Sequence, residues 1–455
     1  MKNGKRSSFS GKLGYVLAAA GASVGLGNIW RFPYLAAKYG GGIFLIIYIV
    51  LALTFGYTMI VAETAIGRMT RKSPVGAFKS FGKKKWLSFG GWINAVIPVL
   101  IVPYYSVIGG WVIKYLVEYF RGNAKLLAED GYFTDFISNG VSTELCFMAF
   151  CAFTLIIIFA GVQNGIERVS KIMMPILIVL SVIIAVYSVT RPGALAGVKY
   201  FLVPNVKNFS WMTVVAAMGQ MFYSLSIAMG ILITFGSYMK KDTAIEDSTR
   251  NVEIFDTGIA IMAGLMIIPA VFAFSGGDPD TLQAGPSLMF ITIPKVFQNM
   301  GFGTVIGIVF FVLVLFAAVT SSIALTESAV STFEDELGWG RKKATVLVGV
   351  IMLALGSLSS LGYGPLAGIK IIGMQFLDLF DFLTNSVMMP IAALLTSLLV
   401  SRVVGIDKIE DEIIHGESAF RRKKVFVVMI KYLCPVFAII ILLSSVANAL
   451  GWIKM

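Results

Sequence analysis

The chain has 455 residues, 57% of them hydrophobic and 14% charged, with a formal net charge of +12, one histidine and a mean hydropathy of +0.84. Soluble domains carry about 25% charged residues, so the composition excludes a soluble multidomain enzyme, a disordered chain and a disulfide scaffold, and it weakens His-based metal or acid–base chemistry. Cys146, Cys151 and Cys434 all lie in apolar runs, where buried thiols are expected rather than disulfides.

A membrane span needs roughly 20 mostly apolar residues. The N-terminal MKNGKRSSFSGK is basic and polar. The run after it is too long for a signal-peptide core and lacks an A-x-A site, so it reads as a retained first helix. Candidate spans follow near 12–37, 41–67, 88–120, 143–161, 169–190, 213–238, 254–275, 302–332, 344–361, 375–401 and 425–450. Eleven spans place the termini on opposite sides. The N-tail and every second loop hold 25 Lys and Arg residues against 7 in the alternate loops, so the positive-inside rule puts the N-terminus in the cytoplasm and the C-terminus outside. The positive charge is thereby a topology signal and not evidence for a nucleic-acid partner. The outward loops lie near 121–142, 191–212 and 276–301, and GPSLMFITIPKVF in the last predicts a short helix packed over the outer mouth.

The first span is interrupted by GASVGLGN (21–28) and the sixth by SLSIAMG (224–230). They are five spans apart, as two five-helix halves require, and paired interrupted helices point to a transporter's central site. A helix broken inside the bilayer exposes N–H and C=O groups that something must satisfy. Gly21, Gly25 and Gly27 permit an unwound backbone, and Asn28 supplies an amide oxygen at the restart. The N-terminus of the second half-helix favours a carboxylate, while free carbonyls suit a hard cation. Small residues equally serve close helix packing.

Charges inside spans are functional candidates: Arg31, Glu63, Asp256, Asp378 and Asp381. Glu63 could accept from amides of a broken helix or anchor at the cytoplasmic interface. Asp256 falls in the expected first turn of span seven, where an interfacial helix-start acid is the alternative. Thr320-Ser321-Ser322 could bond back to their own helix or face an ion. His415, near Glu410 and Glu412 in an expected cytoplasmic loop, is a poor catalytic candidate, so no enzyme activity is expected.

Together GASVGLGNIWRFPY (21–34), GGIFLIIY (41–48), VAETAIGR (61–68), GQMFYSLSIAMG (219–230), TSSIAL (320–325) and FEDELG (333–338) resemble the neurotransmitter:sodium symporter family, in its prokaryotic amino-acid-transporting branch. The resemblance implies an all-α membrane protein of about eleven helices with a 5+5 inverted-repeat core, discontinuous at helices 1 and 6. Residues 1–190 would form the first repeat, 213–402 the second and 423–452 the extra helix 11.

The resemblance also implies residue roles. One sodium site would use Gly21, Val24, Ala317, Thr320 and Ser321, and the other Ser23, Asn28, Ser224 and Asp256, completed by the substrate carboxylate. Leu26, Gly27 and Tyr105 would hold that carboxylate, with Ser23 beside it. Ile101, Tyr223, Ser226, Met229, Ser322 and Leu325 would line the side-chain pocket. Arg31 and Asp381 resemble an outer gate pair, and Arg6 and Asp335 an inner one. Phe9 stands where the family usually has Trp, while Gln220, Tyr238 and Glu63 would support the gates.

Two departures bear on chemistry. Asp256 stands where the family often has Asn, and a fixed charge beside sodium can replace a bound anion, so chloride independence is expected. Gly25 stands where amine carriers place Asp, leaving room for a substrate carboxylate. The expectation is a sodium-driven symporter, with two ions, for a large neutral aliphatic or aromatic amino acid in a bacterial-type plasma membrane. Alternatives are a carrier of another small zwitterion and an ion channel. The expected partners are the substrate, sodium and lipid, with no nucleic acid, and both monomer and dimer stay open.

Overall fold

Inside a bilayer only a helix satisfies the backbone within a single segment, and the apolar runs fold accordingly. The structure is a computed structural model that describes residues 7–276 and 285–449. Span α1 is split into Lys12–Ser23 (α1a) and Gly27–Lys38 (α1b), bent by 53°. There follow α2 (Gly42–Thr70), α3 (Lys85–Phe120), α4 (Gly140–Phe159) and α5 (Val162–Val189). Span α6 is divided into Trp211–Ser224 (α6a) and Ile231–Tyr238 (α6b). The remaining spans are α7 (Ile245–Ser275), α8 (Gly303–Leu337), α9 (Arg341–Leu361), α10 (Phe376–Val404) and α11 (Lys423–Asn448). Among the described residues nine unbroken spans, the bent α1 and the interrupted α6 make the eleven expected from the sequence.

One boundary differs in a way that matters. Helix α7 begins at Ile245 rather than near 254, because Glu246, Asp247, Arg250 and Glu253 carry it beyond its apolar run. Acids in a first turn favour the helix N-terminus. Asp256 therefore sits about three turns inside α7 and is fully buried, not an interfacial helix-start charge.

Small residues set the closest helix contacts, as expected where lipid gives helices no hydrophobic drive to associate. A Cβ at Gly110 of α3 would lie 2.6 Å from the Phe147 backbone nitrogen of α4. Between α2 and α6b, Gly67 faces the Ile233 main chain and Gly236 the Thr64 main chain, leaving no room for a side chain at either glycine. This approach brings Glu63 of α2 to the break in α6.

The outer-loop segment Leu288–Gln298 is a short apolar helix. Phe290 packs 4.9 Å from the Tyr115 ring, and the Tyr115 hydroxyl donates to Phe290 O at 2.7 Å. The stretch around His415 is not a plain loop: Ile406–Ile414 is helical, Glu412 is buried in an ion pair with Arg68 at 2.7 Å, and His415 is exposed at its end.

Candidate functional site

Both breaks open onto one cavity, nearly closed in this structure at about 30 Å³. At the first break α1a ends on Val24, whose extended ψ of 96° stops the helical ladder. Two freed amides find side chains: Gly25 N donates to Asn28 Oδ1 at 3.0 Å and Leu26 N to the Tyr105 hydroxyl at 3.2 Å. The freed carbonyls converge on one atom. Ser321 Oγ lies 3.2 Å from Gly21 O, 3.2 Å from Ala22 O and 3.3 Å from Val24 O. A hydroxyl has one proton to donate, so this cluster holds more lone pairs than donors, the donor set of a hard cation. Thr320 packs there too, since a Cβ at Gly21 would lie 3.1 Å from Thr320 Cβ. Its hydroxyl bonds back to Phe316 O at 2.9 Å and Ala317 O at 3.2 Å. The two sequence alternatives thus divide: Thr320 takes the local bond and Ser321 faces the break.

A second polar cluster is built on Asp256. Its Oδ1 accepts from Asn28 Nδ2 at 2.8 Å and Ser224 Oγ at 2.9 Å, and its Oδ2 from the Tyr48 hydroxyl at 2.9 Å. Asn28 links this cluster to the first break through Gly25, while Ser23 Oγ bonds to Ala19 O at 3.1 Å. Among the described residues no group of three or more His, Cys, Asp or Glu side chains could hold a metal. The site's donors are instead carbonyls, hydroxyls, one amide and one acid.

At the second break Ser226 (φ 53°) and Ala228 (φ 59°) are left-handed without being glycine. The turn is held by Glu63, whose Oε1 accepts from Ala228 N at 2.8 Å, and by the Ser226 hydroxyl donating to Ala22 O at 2.9 Å. Glu63 is fully buried, so it is not an interfacial anchor.

Nine of the ten substrate residues expected from the sequence line the cavity: Ser23, Leu26, Gly27, Ile101, Tyr105, Tyr223, Ser226, Met229 and Leu325. Ser322 does not; its hydroxyl meets Thr154 of α4 at 3.1 Å, because the residue after Ser321 turns about 100° around the helix. Among the described residues no charged side chain lines the cavity.

The gate residues are placed unevenly. Arg31 stands 5.2 Å over the Tyr223 ring, whereas Asp381 accepts from the Tyr104 hydroxyl at 3.1 Å and Asn385 Nδ2 at 2.5 Å. No ion pair joins Arg31 to Asp381 within 4.0 Å among the described residues. Gln220 Nε2 donates to Gly27 O at 3.1 Å. On the other side, Phe9 is buried edge-on against Tyr15, Phe235 and Tyr238, and its N–H donates to Tyr238 O at 3.1 Å. Arg6 lies outside the described residues, while Asp335 accepts from Ser73 N at 2.6 Å.

Two participants are missing from the residues expected from the sequence. Tyr48 falls in the quoted GGIFLIIY motif yet reads as one apolar-run aromatic. Glu327 is buried, accepts from Tyr238 at 2.7 Å and pairs with Arg341 at 2.5 Å. An in-span acid was the available clue to Glu327.

The model of the sodium:neurotransmitter symporter family matches residues 6–127 and 133–451. An uncharacterized sodium-dependent transporter of Bacillus subtilis (strain 168), YhdH, is 34% identical over 450 residues, covering 98% of this chain and 99% of the relative. The sodium- and chloride-dependent GABA transporter 2 of Homo sapiens is 26% identical over 474 residues, covering 90% and 75%. The crystal structure of MhsT in complex with L-phenylalanine matches with a TM-score of 0.86 at 35% identity, covering 97% of this chain and 100% of that one. The agreement spans fold, motifs and nearly the whole length of both chains: this protein belongs to the sodium:neurotransmitter symporter family and is a multi-pass membrane transporter that depends on sodium, not an enzyme.

Proposed function

We propose that the protein is a symporter that imports a large neutral amino acid with two sodium ions by alternating access, without a chloride requirement. The observation that carries this reading is the meeting of two broken helices at one cavity, with a surplus of oxygen lone pairs beside it and no charged side chain in its wall. One sodium would sit among Gly21 O, Val24 O, Ala317 O, Thr320 and Ser321. The other would sit beside Asp256, Asn28, Ser224 and Ser23, sharing the substrate's carboxylate. Asn28 would offer the ion its amide oxygen, which here accepts from Gly25 N at 3.0 Å. Leu26 N and the Tyr105 hydroxyl would meet the carboxylate from the other side.

Shared coordination makes ion and substrate binding mutually reinforcing. Each ion entering down 100 mV adds about 2.3 kcal/mol, about fiftyfold in the substrate gradient. Asp256 would supply the fixed negative charge that chloride provides elsewhere. The side-chain end of the cavity, formed by Ile101, Tyr223, Met229 and Leu325, suits an aliphatic or aromatic group, and Met229 adapts to shape. MhsT has been crystallised with L-phenylalanine, which agrees with this size class. The charge pattern supports an inside N-terminus and an outside C-terminus. The interruption of α1 and α6 supports repeats spanning 1–190 and 213–402, with 423–452 outside them.

Uptake by proteoliposomes tests the reading. An inward sodium gradient should drive accumulation of large neutral amino acids, choline in place of sodium should abolish it, and gluconate in place of chloride should leave it unchanged. Uptake that survives choline overturns the coupling, and uptake that collapses in gluconate overturns the role of Asp256. Competition by each of the twenty amino acids would identify the substrate.

A further inference from the structure

Away from the cavity, the start of α9 carries a groove on its outward surface, lined by Trp339, Lys342, Lys343, Val346, Leu347 and Val350. Trp339, both lysines, Val346 and Val350 are exposed, whereas Ala344, Thr345 and Val348 on the opposite face are buried in the bundle. The neighbouring Arg341 behaves differently: it turns inward to pair with Glu327 at 2.5 Å and to donate to Ile158 O at 2.9 Å. The acids at the end of α8 are engaged with other groups. Glu334 lies 3.9 Å from Arg341, Asp335 accepts from Ser73 N at 2.6 Å and Glu336 pairs with Lys79 at 2.8 Å. Among the described residues Lys342 and Lys343 have no hydrogen-bond or ion-pair partner. Two unneutralised ammonium groups thus sit at the head of an apolar channel, beside an indole, at a helix end that the charge pattern assigns to the cytoplasm.

We propose that this groove binds an anionic phospholipid. The phosphate lies at Lys342 and Lys343, the Trp339 ring sits at headgroup level, and an acyl chain runs along Val346, Leu347 and Val350. Charge complementarity selects the ligand: the cytoplasmic leaflet carries the anionic lipids, and interfacial lysines attract them. The Trp matches the preference of amphipathic rings for the interface. A free phosphate would answer the lysines and leave the apolar channel uncovered. The assignment does not depend on the transported substrate, and binding in detergent would be seen even if no uptake were.

Native mass spectrometry of the full chain tests it, with phosphatidylglycerol and phosphatidylcholine of identical acyl chains at equal concentration. The wild type should retain phosphatidylglycerol preferentially. Lys342→Gln with Lys343→Gln should weaken that binding about thirtyfold, with phosphatidylcholine binding and the melting temperature unchanged. Lys83→Gln with Lys84→Gln, a second exposed basic pair, should keep the preference. Val350→Trp, which fills the channel, should reduce binding with the lysines intact, and excess inorganic phosphate should not compete. Equal retention of the two lipids by wild type, an undiminished preference in the Lys342/Lys343 variant, an equal loss in the Lys83/Lys84 variant or displacement by phosphate would each overturn the proposal.

Discussion

The two breaks face one cavity but solve the same problem in opposite ways. In α1 the unwound stretch is glycine-rich and its surplus is of acceptors, with the carbonyls of Gly21, Ala22 and Val24 gathered on Ser321. In α6 the left-handed positions before Gly230 are Ser226 and Ala228, and a donor, Ala228 N, is met by a carboxylate from α2. A surplus of lone pairs is what a cation relieves. A donor already satisfied by a fixed acid needs no ligand and instead holds the cavity wall in place. On the proposed reading the first break would supply most of the ion ligands, and the second is a shaped wall whose geometry is set from outside.

That contrast can be broken. The largest effect is expected at Asp256, which joins the breaks through Asn28 and Ser224. Asp256→Ala strands three buried donors and removes the local charge, so sodium affinity in equilibrium binding should fall at least about a hundredfold. Ser321→Ala should weaken sodium about tenfold, with substrate affinity at saturating sodium little changed. If Ser321→Ala left sodium affinity intact, the surplus of acceptors at the first break would have another purpose. At the second break the expected phenotype is different in kind. Glu63→Leu leaves Ala228 N without an acceptor, a loss of about 1–3 kcal/mol to be read as a lowered melting temperature, whereas Glu63→Gln keeps an acceptor oxygen and should recover most of it.

The contrast also explains what could be read from the sequence. The eleven spans and the first break were legible, because hydropathy and glycine density are local. The second break was legible as a place, through SLSIAMG, but its support was not. Glu63 lies 165 residues from Ala228 and Tyr48 lies 208 residues from Asp256, and nothing at either position alone states the partner. Asp256 was placed at a helix start because the polar turns ahead of it fall below any hydropathy threshold. The resemblance implies Ser322 in the pocket, but a helix sends adjacent residues 100° apart, so with Ser321 at the break Ser322 faces Thr154 instead.

Ala228→Gly sharpens the comparison with a smaller effect of the opposite sign. A non-glycine residue in the left-handed region costs about 1–2 kcal/mol, and the freer unfolded chain of glycine returns about 0.4–1 kcal/mol of that. The net expectation is a stabilisation of about 0.5–1 kcal/mol, seen as a slightly raised melting temperature in sodium. A fall instead would mean that the Ala228 methyl group packs usefully in the wall.

The smallest effect lies away from both breaks, where the exposed Asp130 pairs with Lys295 of the short outer helix. The lysine holds the Asp130 carboxyl below its ordinary value through a hydrogen bond and its charge. A depressed acid contributes stability that is present above its unfolded pKa and lost as pH falls through the folded one. Asp130→Asn should therefore shift the melting temperature only slightly near neutral pH, less in high salt, and not at all once the wild-type carboxyl is protonated. A shift as large as that of Glu63→Leu would show that the outer cover, and not only the buried supports of the two breaks, sets the stability of the closed cavity. Water and salt screen Asp130 and cannot reach Glu63, and that difference in solvent access fixes the order of the two effects.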